Sequence, residues 1–179
     1  MPEADLDARL FGDRLSVDAI ARVALVPGPL PEGALDDAER ALRDLATIED
    51  RRGDEGEPSS PGDAAWRRLE AKLDLTLLLL ARALPALRGP RPLPIRLGAA
   101  GLRLDRGASA PDDVAATAVL QWQPADALPV LLHLPVRRVG AEGGLAWWAF
   151  EPLAAALDDA LERHVFRLHR RSLALRRPA

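Results

Sequence analysis

The stretch RPLPIRLGAAGLRLD, residues 91–105, sets the hydrophobic period of the chain to two. Leu93, Ile95 and Leu97 alternate with Pro94 and Arg96, and Leu102 and Leu104 alternate with Arg103 and Asp105. A period of two sends successive side chains to opposite faces, which is the pattern of a half-buried strand. The alternation returns at Ala118, Leu120 and Trp122, at Leu128, Val130, Leu132, Leu134 and Val136, and at Leu145, Trp147 and Ala149. Turns rich in Gly, Pro and Asp separate these runs. Five short strands at hairpin spacing imply an antiparallel sheet that curls into a barrel. Pro129 and Pro135 share one face of their strand and point to a partly unpaired edge. Trp147 and Trp148 face opposite ways, one toward the core and the other toward a site or interface.

Outward from this sheet the period becomes helical. Asp63 suits an N-cap, and a long helix is expected from there to about Leu84, stopped by Pro85. Trp66, Leu69, Leu73, Thr76, Leu80, Ala83 and Leu87 alternate by three and four, a heptad seam with Leu87 beyond the proline. Thr76 is a polar interruption of that seam, suited to setting register or oligomer number. Leu75, Leu77, Leu78 and Leu79 lie off the seam, so the helix is apolar on more than one face. Such a helix has to bury both faces; one covers its own domain and the other wants a second helix or a second chain.

Downstream, Leu153, Leu157, Leu161, Val165, Leu168, Ser172 and Leu175 form one stripe of a helix that opens at Pro152. Upstream, Ile20 to Val26 reads as a strand stopped by the Pro27-Gly28-Pro29 turn. A helix over 33–48 follows, with Leu35, Ala38, Leu42, Leu45 and Ile48 on one face and Asp36, Asp37 and Glu39 in its first turn. The segment 51–62, RRGDEGEPSSPG, reads as a flexible polar loop. The organisation expected is a strand, helix and flexible loop over 1–62, a heptad oligomerisation helix over 63–87, and a barrel with a long C-terminal helix over 88–179.

Composition removes several function classes. The chain has 179 residues and no cysteine, so thiol catalysis, disulfide scaffolds and zinc ribbons are out. Net charge is −3, which argues against a whole-chain electrostatic grip on nucleic acid. Charge is nevertheless uneven: residues 32–63 carry eleven acids and four arginines, while 163–179 carry six arginines and no acid. Arg163, Arg167, Arg170, Arg171, Arg176 and Arg177 are read as a helix face paired with the acidic segment; a nucleic-acid role for them is a distant alternative, since no reading motif accompanies them. His164 and His169 are five apart, off the spacing that aims two ligands to one side of a helix, and no metal site is expected. Neither GxSxG, nor a phosphate-binding P-loop, nor HExxH occurs, and no enzyme activity is expected. Wholly apolar runs such as residues 77–81 are far short of a membrane span, and the acidic N-terminus lacks the apolar core of a secretory signal. A soluble cytoplasmic protein is expected.

The ordered combination of LFGDRLSVDA at 10–19, RLEAKLDLTLLLLARAL at 68–84, RPLPIRLGAAGLRLD at 91–105 and LDDALERHVFRLHRRSLA at 157–174 resembles the atypical PilZ family of bacterial cyclic di-GMP signalling proteins, in particular its tetramer-forming branch. The resemblance covers most of the chain. It implies an α+β fold, a six-stranded PilZ-type antiparallel β-barrel flanked by long helices, one of them with heptad repeats. It implies self-association, as a tetramer, through Trp66, Leu69, Leu73, Thr76 and Leu80. It also implies a receptor or adaptor for cyclic di-GMP that acts on an effector protein, with no cofactor beyond that possible ligand.

The family's ligand motifs are altered here. The standard RxxxR segment corresponds to Arg88 and Arg91, three apart instead of four. The standard [DN]xSxxG motif corresponds to Arg96, Gly98 and Gly101, of which only Gly101 matches. Arginine has no acceptor lone pair, so Arg96 cannot receive the hydrogen bond that an acid or amide accepts from guanine. Arg88, Arg91, Arg96, Gly98 and Gly101 are the candidate ligand residues, with weak or absent cyclic di-GMP binding expected. The alternative is an oligomeric interaction scaffold that has lost the nucleotide site.

Overall fold

The computed structural model describes residues 2–53, 69, 72–73, 75–76, 89–105, 116–125 and 130–176. Helix α1 spans Glu3–Phe11, strand β1 Ser16–Val26 and helix α2 Ala34–Gly53. Strands β2 (Pro92–Gly98), β3 (Gly101–Asp105), β4 (Thr117–Gln123), β5 (Leu132–Glu142) and β6 (Leu145–Phe150) follow, then helix α3 over Ala155–Arg176. The six strands close into one barrel in the order β1-β2-β3-β6-β5-β4, every neighbouring pair antiparallel. The fold is therefore α+β, a small closed barrel with helices laid against it.

The alternation of the strands builds the core. Leu97, Leu102, Leu120, Trp122, Leu134, Val136 and Trp148 are almost wholly buried, and all belong to one cluster. Ala38 and Leu42 of α2 and Leu157, Leu161 and Val165 of α3 join that cluster. The 3–4 spacing on each helix thus becomes its buried face. Glu49 fastens the two helices together: Arg167 Nε donates to its Oε2 at 2.8 Å, and Arg171 Nη2 lies 3.0 Å from its Oε1.

Four features depart from the sequence reading. The first strand begins at Ser16, four residues before Ile20. Val17, Val23 and Leu25 are buried, but Ala19 and Ala21 occupy the inward positions between them, and alanine gives little hydrophobic signal. Ile20 lies on the outward face and is 79% exposed. Second, residues 51–53 continue α2 and do not begin a loop. Third, β5 runs from Leu132 to Glu142, later than the expected start at Leu128; residues 132–137 pair with β4 and 136–142 with β6, so Pro135 lies where the β6 side of the strand is not yet paired. Pro135 is tolerated because its carbonyl accepts from the Glu151 amide, just past the last residue of β6, and its missing N–H faces that same end of the ladder. Fourth, both Trp147 and Trp148 are buried, Trp148 inside the barrel and Trp147 beneath α1 with Leu6, Leu10 and Phe11.

Helix α1 is the element that sequence reading missed. Nine residues are too few to form a helix alone in water. Its stability comes from its seat. Leu6 lies over Gly140 and Phe11 over Gly98, where an added methyl would approach them to 2.6 and 2.8 Å. Two glycines on the outside of the barrel thus leave flat ground for two apolar side chains. Burying Leu6, Leu10 and Phe11 contributes roughly 1.5–3 kcal/mol each.

Candidate functional site

The β2–β3 hairpin carries three of the candidate ligand residues. Its turn, Ala99–Ala100, pairs Gly98 with Gly101, Leu97 with Leu102 and Arg96 with Arg103. Two-residue loops fix register, so this one sets the two arginines directly opposite each other on the outer face of the barrel. Gly101 is required by packing, because a side chain there would overlap the Trp148 carbonyl oxygen on β6. Gly98 is required by the Phe11 ring. Both glycines thus have structural duties at the hairpin.

Arg96 and Arg103 share one carboxylate. Nη1 of each lies 2.8 Å from Asp7 Oδ2, and Trp147 Nε1 donates to Asp7 Oδ1 at 2.7 Å. Asp18 Oδ1 stands farther off, 3.6 Å from Arg96 Nε and 3.8 Å from Arg103 Nη2. The Arg96 guanidinium also lies 6.0 Å from the centre of the Phe11 ring, within cation–π range. Burial by itself raises the Asp7 carboxyl, but the Trp147 hydrogen bond and the Arg103 and Arg96 charges outweigh it and hold the group below its ordinary value. Asp7 is therefore ionised over the whole physiological range. The arrangement has no nucleophile–base pair; what it can do chemically is hold an oxyanion.

Arg103 was not among the sequence candidates. Its signal is present in retrospect: a two-residue GAAG hairpin puts residue 103 opposite residue 96. Arg91 is exposed just before β2, five residues from Arg96 and so about 16 Å along an extended chain. The segment before β2 is tied to β1 by Arg22 Nη1, which donates to the Pro90 carbonyl at 3.2 Å. Arg88 lies outside the described residues, as do Trp66 and Leu80 of the heptad seam.

Leu69, Leu73 and Thr76 are helical and exposed. The Thr76 hydroxyl donates to the Lys72 carbonyl at 2.8 Å, a local back-bond within the helix. Leu75, off the seam, is also exposed, so apolar side chains face solvent on more than one side of this segment. In α3, Arg163 pairs with Asp159 while Arg167 and Arg171 hold Glu49, which gives half of that basic set structural partners. Among the described residues no helix is long and apolar enough to cross a membrane, and no group of three His, Asp or Glu side chains is placed to hold a metal ion.

A closed six-stranded antiparallel barrel with an arginine-bearing outer hairpin and flanking helices defines the class of small α+β barrel modules. Residues 42–178 match the family model described as atypical PilZ domain, cyclic di-GMP receptor. The chain belongs to that family. It is also similar to a crystal structure described as a pathogenic protein from Xanthomonas campestris, a new tetrameric PilZ domain self-assembled via an unusual helical bundle. The two are 33% identical with a TM-score of 0.74, over 96% of this chain and 97% of that one. No curated protein matches the sequence significantly. The family match begins within α2, so α1, β1 and Asp7 lie outside it.

Proposed function

We propose that the chain is a non-catalytic regulatory adaptor of cyclic di-GMP signalling that assembles with copies of itself, as a tetramer, through the 63–87 helix, and that binds cyclic di-GMP weakly or not at all. The observation that carries the ligand half of this reading is the state of Arg96. It stands where the standard motif has an acceptor, and its charge is already engaged by Asp7 and Asp18 of the same chain. Arg88, Arg91, Gly98 and Gly101 complete the altered ligand set. The assembly half is supported by Leu69 and Leu73, which remain exposed in the single chain, and by the tetrameric assembly described for the Xanthomonas protein. An output through a bound effector protein follows from the absence of catalytic motifs in the sequence.

Calorimetric titration with cyclic di-GMP tests the ligand half. The expected dissociation constant is weaker than about 10 μM, which corresponds to less than about 7 kcal/mol of binding free energy. Tight, sub-micromolar binding overturns the weak-binding reading. No heat at high micromolar ligand favours the second reading, an interaction scaffold without a nucleotide site; the pairing of both hairpin arginines to internal acids supports that reading too.

A further inference from the structure

Like charges placed directly opposite on neighbouring strands repel. Arg96 and Arg103 are such a pair, and the structure answers with one anionic oxygen, Asp7 Oδ2, at 2.8 Å from each. The barrel itself does not provide this oxygen; it comes from α1, a nine-residue helix laid on the outside. The fit is incomplete. Arg96 Nε is buried with no hydrogen-bond partner, and Asp18 at 3.6 Å is out of reach. The Asp7 carboxylate meets Arg96 only through Nη1, with its Oδ1 turned to Trp147. A phosphate group presents three oxygens on one centre and matches the fork of an arginine through Nε and Nη together.

A cleft of about 450 Å³ opens against the same two arginines. Ile20, Pro94, Leu104 and Leu145 line it together with the Asp18 and Asp105 carboxylates, and Ile20 is 79% exposed despite being a large apolar side chain. An apolar wall beside two acid-paired arginines suits a molecule with a flat or apolar body and a phosphate that takes the place of the acid, and the volume is that of a small-molecule site.

We propose that Arg96 and Arg103 form an oxyanion clamp for a phosphate ester whose body lies in this cleft, and that Asp7 is the clamp's built-in competitor. The proposal rests on the β2–β3 face being the ligand face of the reading above; it adds Arg103 to that face and names what keeps it occupied. Binding replaces the Asp7 carboxylate by the ligand's phosphate and satisfies Arg96 Nε. Weak binding in the parent protein is then a consequence of competition inside the chain, over and above the loss of the motif's acceptor.

The test uses the full chain with two probes, GMP and cyclic di-GMP, titrated into the parent, Asp7→Asn and Asp7→Asn/Arg103→Ala. Asparagine keeps the shape and the acceptor for Trp147 but removes the competing charge. GMP is expected to bind Asp7→Asn at least tenfold more tightly than the parent, and Arg103→Ala in that background is expected to abolish the gain. Gly98→Val is the second route: it wedges Phe11 off the sheet and lifts α1, and Asp7 with it, without removing any charged residue, and it too is expected to tighten GMP binding. No gain in either variant, with the near-ultraviolet dichroism showing a folded barrel, overturns the proposal. A gain that survives Arg103→Ala also overturns it, since the anion would then sit elsewhere. A gain for GMP without one for cyclic di-GMP supports the clamp and counts against the dinucleotide as its ligand, which separates failure of the clamp from failure of the signalling reading.

Discussion

His164 is buried in the contact between α3 and the barrel, edge-on to Trp122 with ring centroids 5.2 Å apart, and neither ring nitrogen has a hydrogen-bond partner. Burial, reinforced by the Arg167 and Arg171 charges, lowers its pKa from 6.5 to about 4. Both arginines are themselves paired with the Glu49 carboxylate of α2. In the unfolded chain the imidazole takes its proton at higher pH than in the fold. Its contribution is therefore complete above pH 6.5 and is lost as pH falls toward about 4, to an extent on the order of 3 kcal/mol. Urea unfolding between pH 7 and pH 4 is expected to show that loss, and His164→Phe is expected to flatten it. At pH 7 the same substitution is expected to leave stability unchanged or to raise it by about 1 kcal/mol, because it removes a buried polar group with no partner. A steep pH slope retained in His164→Phe counts against this account. Asp7 acts in the same direction at lower pH: its depressed value adds stability that is lost only as pH falls below the ordinary carboxylate range.

Elements here are held by a few specific contacts laid over generic apolar packing. Helix α2 and helix α3 each present a 3–4 stripe to the barrel, but Glu49, its side chain only 7% exposed, fixes how they lie against each other. Removing one partner of a buried pair leaves the other charges uncompensated. Glu49→Ala is expected to cost about 3 kcal/mol in equilibrium unfolding, against less than about 1 kcal/mol for breaking the exposed Arg163–Asp159 pair with Asp159→Ala. Equal costs for the two would mean that the tie does not hold the helices. Element boundaries were only partly legible. The β2–β3 hairpin, β4 and β6 were readable because Leu, Ile and Trp mark every second position. The start of β1 was hidden by inward alanines, and α1 was hidden because its three apolar anchors, Leu6, Leu10 and Phe11, are too few to make a periodic signal.

At the scale of the whole molecule, the six strands leave no open sheet edge, so association has to use other surfaces. In the proposed assembly that surface is the heptad segment, where Leu69 and Leu73 are exposed. Leu73→Glu places a charge in what would be a dry seam and is expected to convert the assembly to monomers in light scattering after size exclusion, without loss of the barrel's dichroism. A parent protein that is monomeric at micromolar concentration would remove the assembly from the proposed function. The candidate ligand face was half legible for the same kind of reason as the elements. Arg96, Gly98 and Gly101 were found through a motif, which is a local property of the chain. Arg103 needed register, and Asp7 needed a contact across 89 residues of sequence.

The sequence by itself determined the alternation that makes a barrel, the stripes that lay two helices on it, and the surplus of leucine along the 63–84 segment, because each is a pattern between near neighbours. Only the tertiary structure decided that α1 caps Trp147 and that Asp7 sits between Arg96 and Arg103. Those contacts join residues far apart in the chain, and their strength depends on burial and on distances of a few ångströms, which no local pattern encodes.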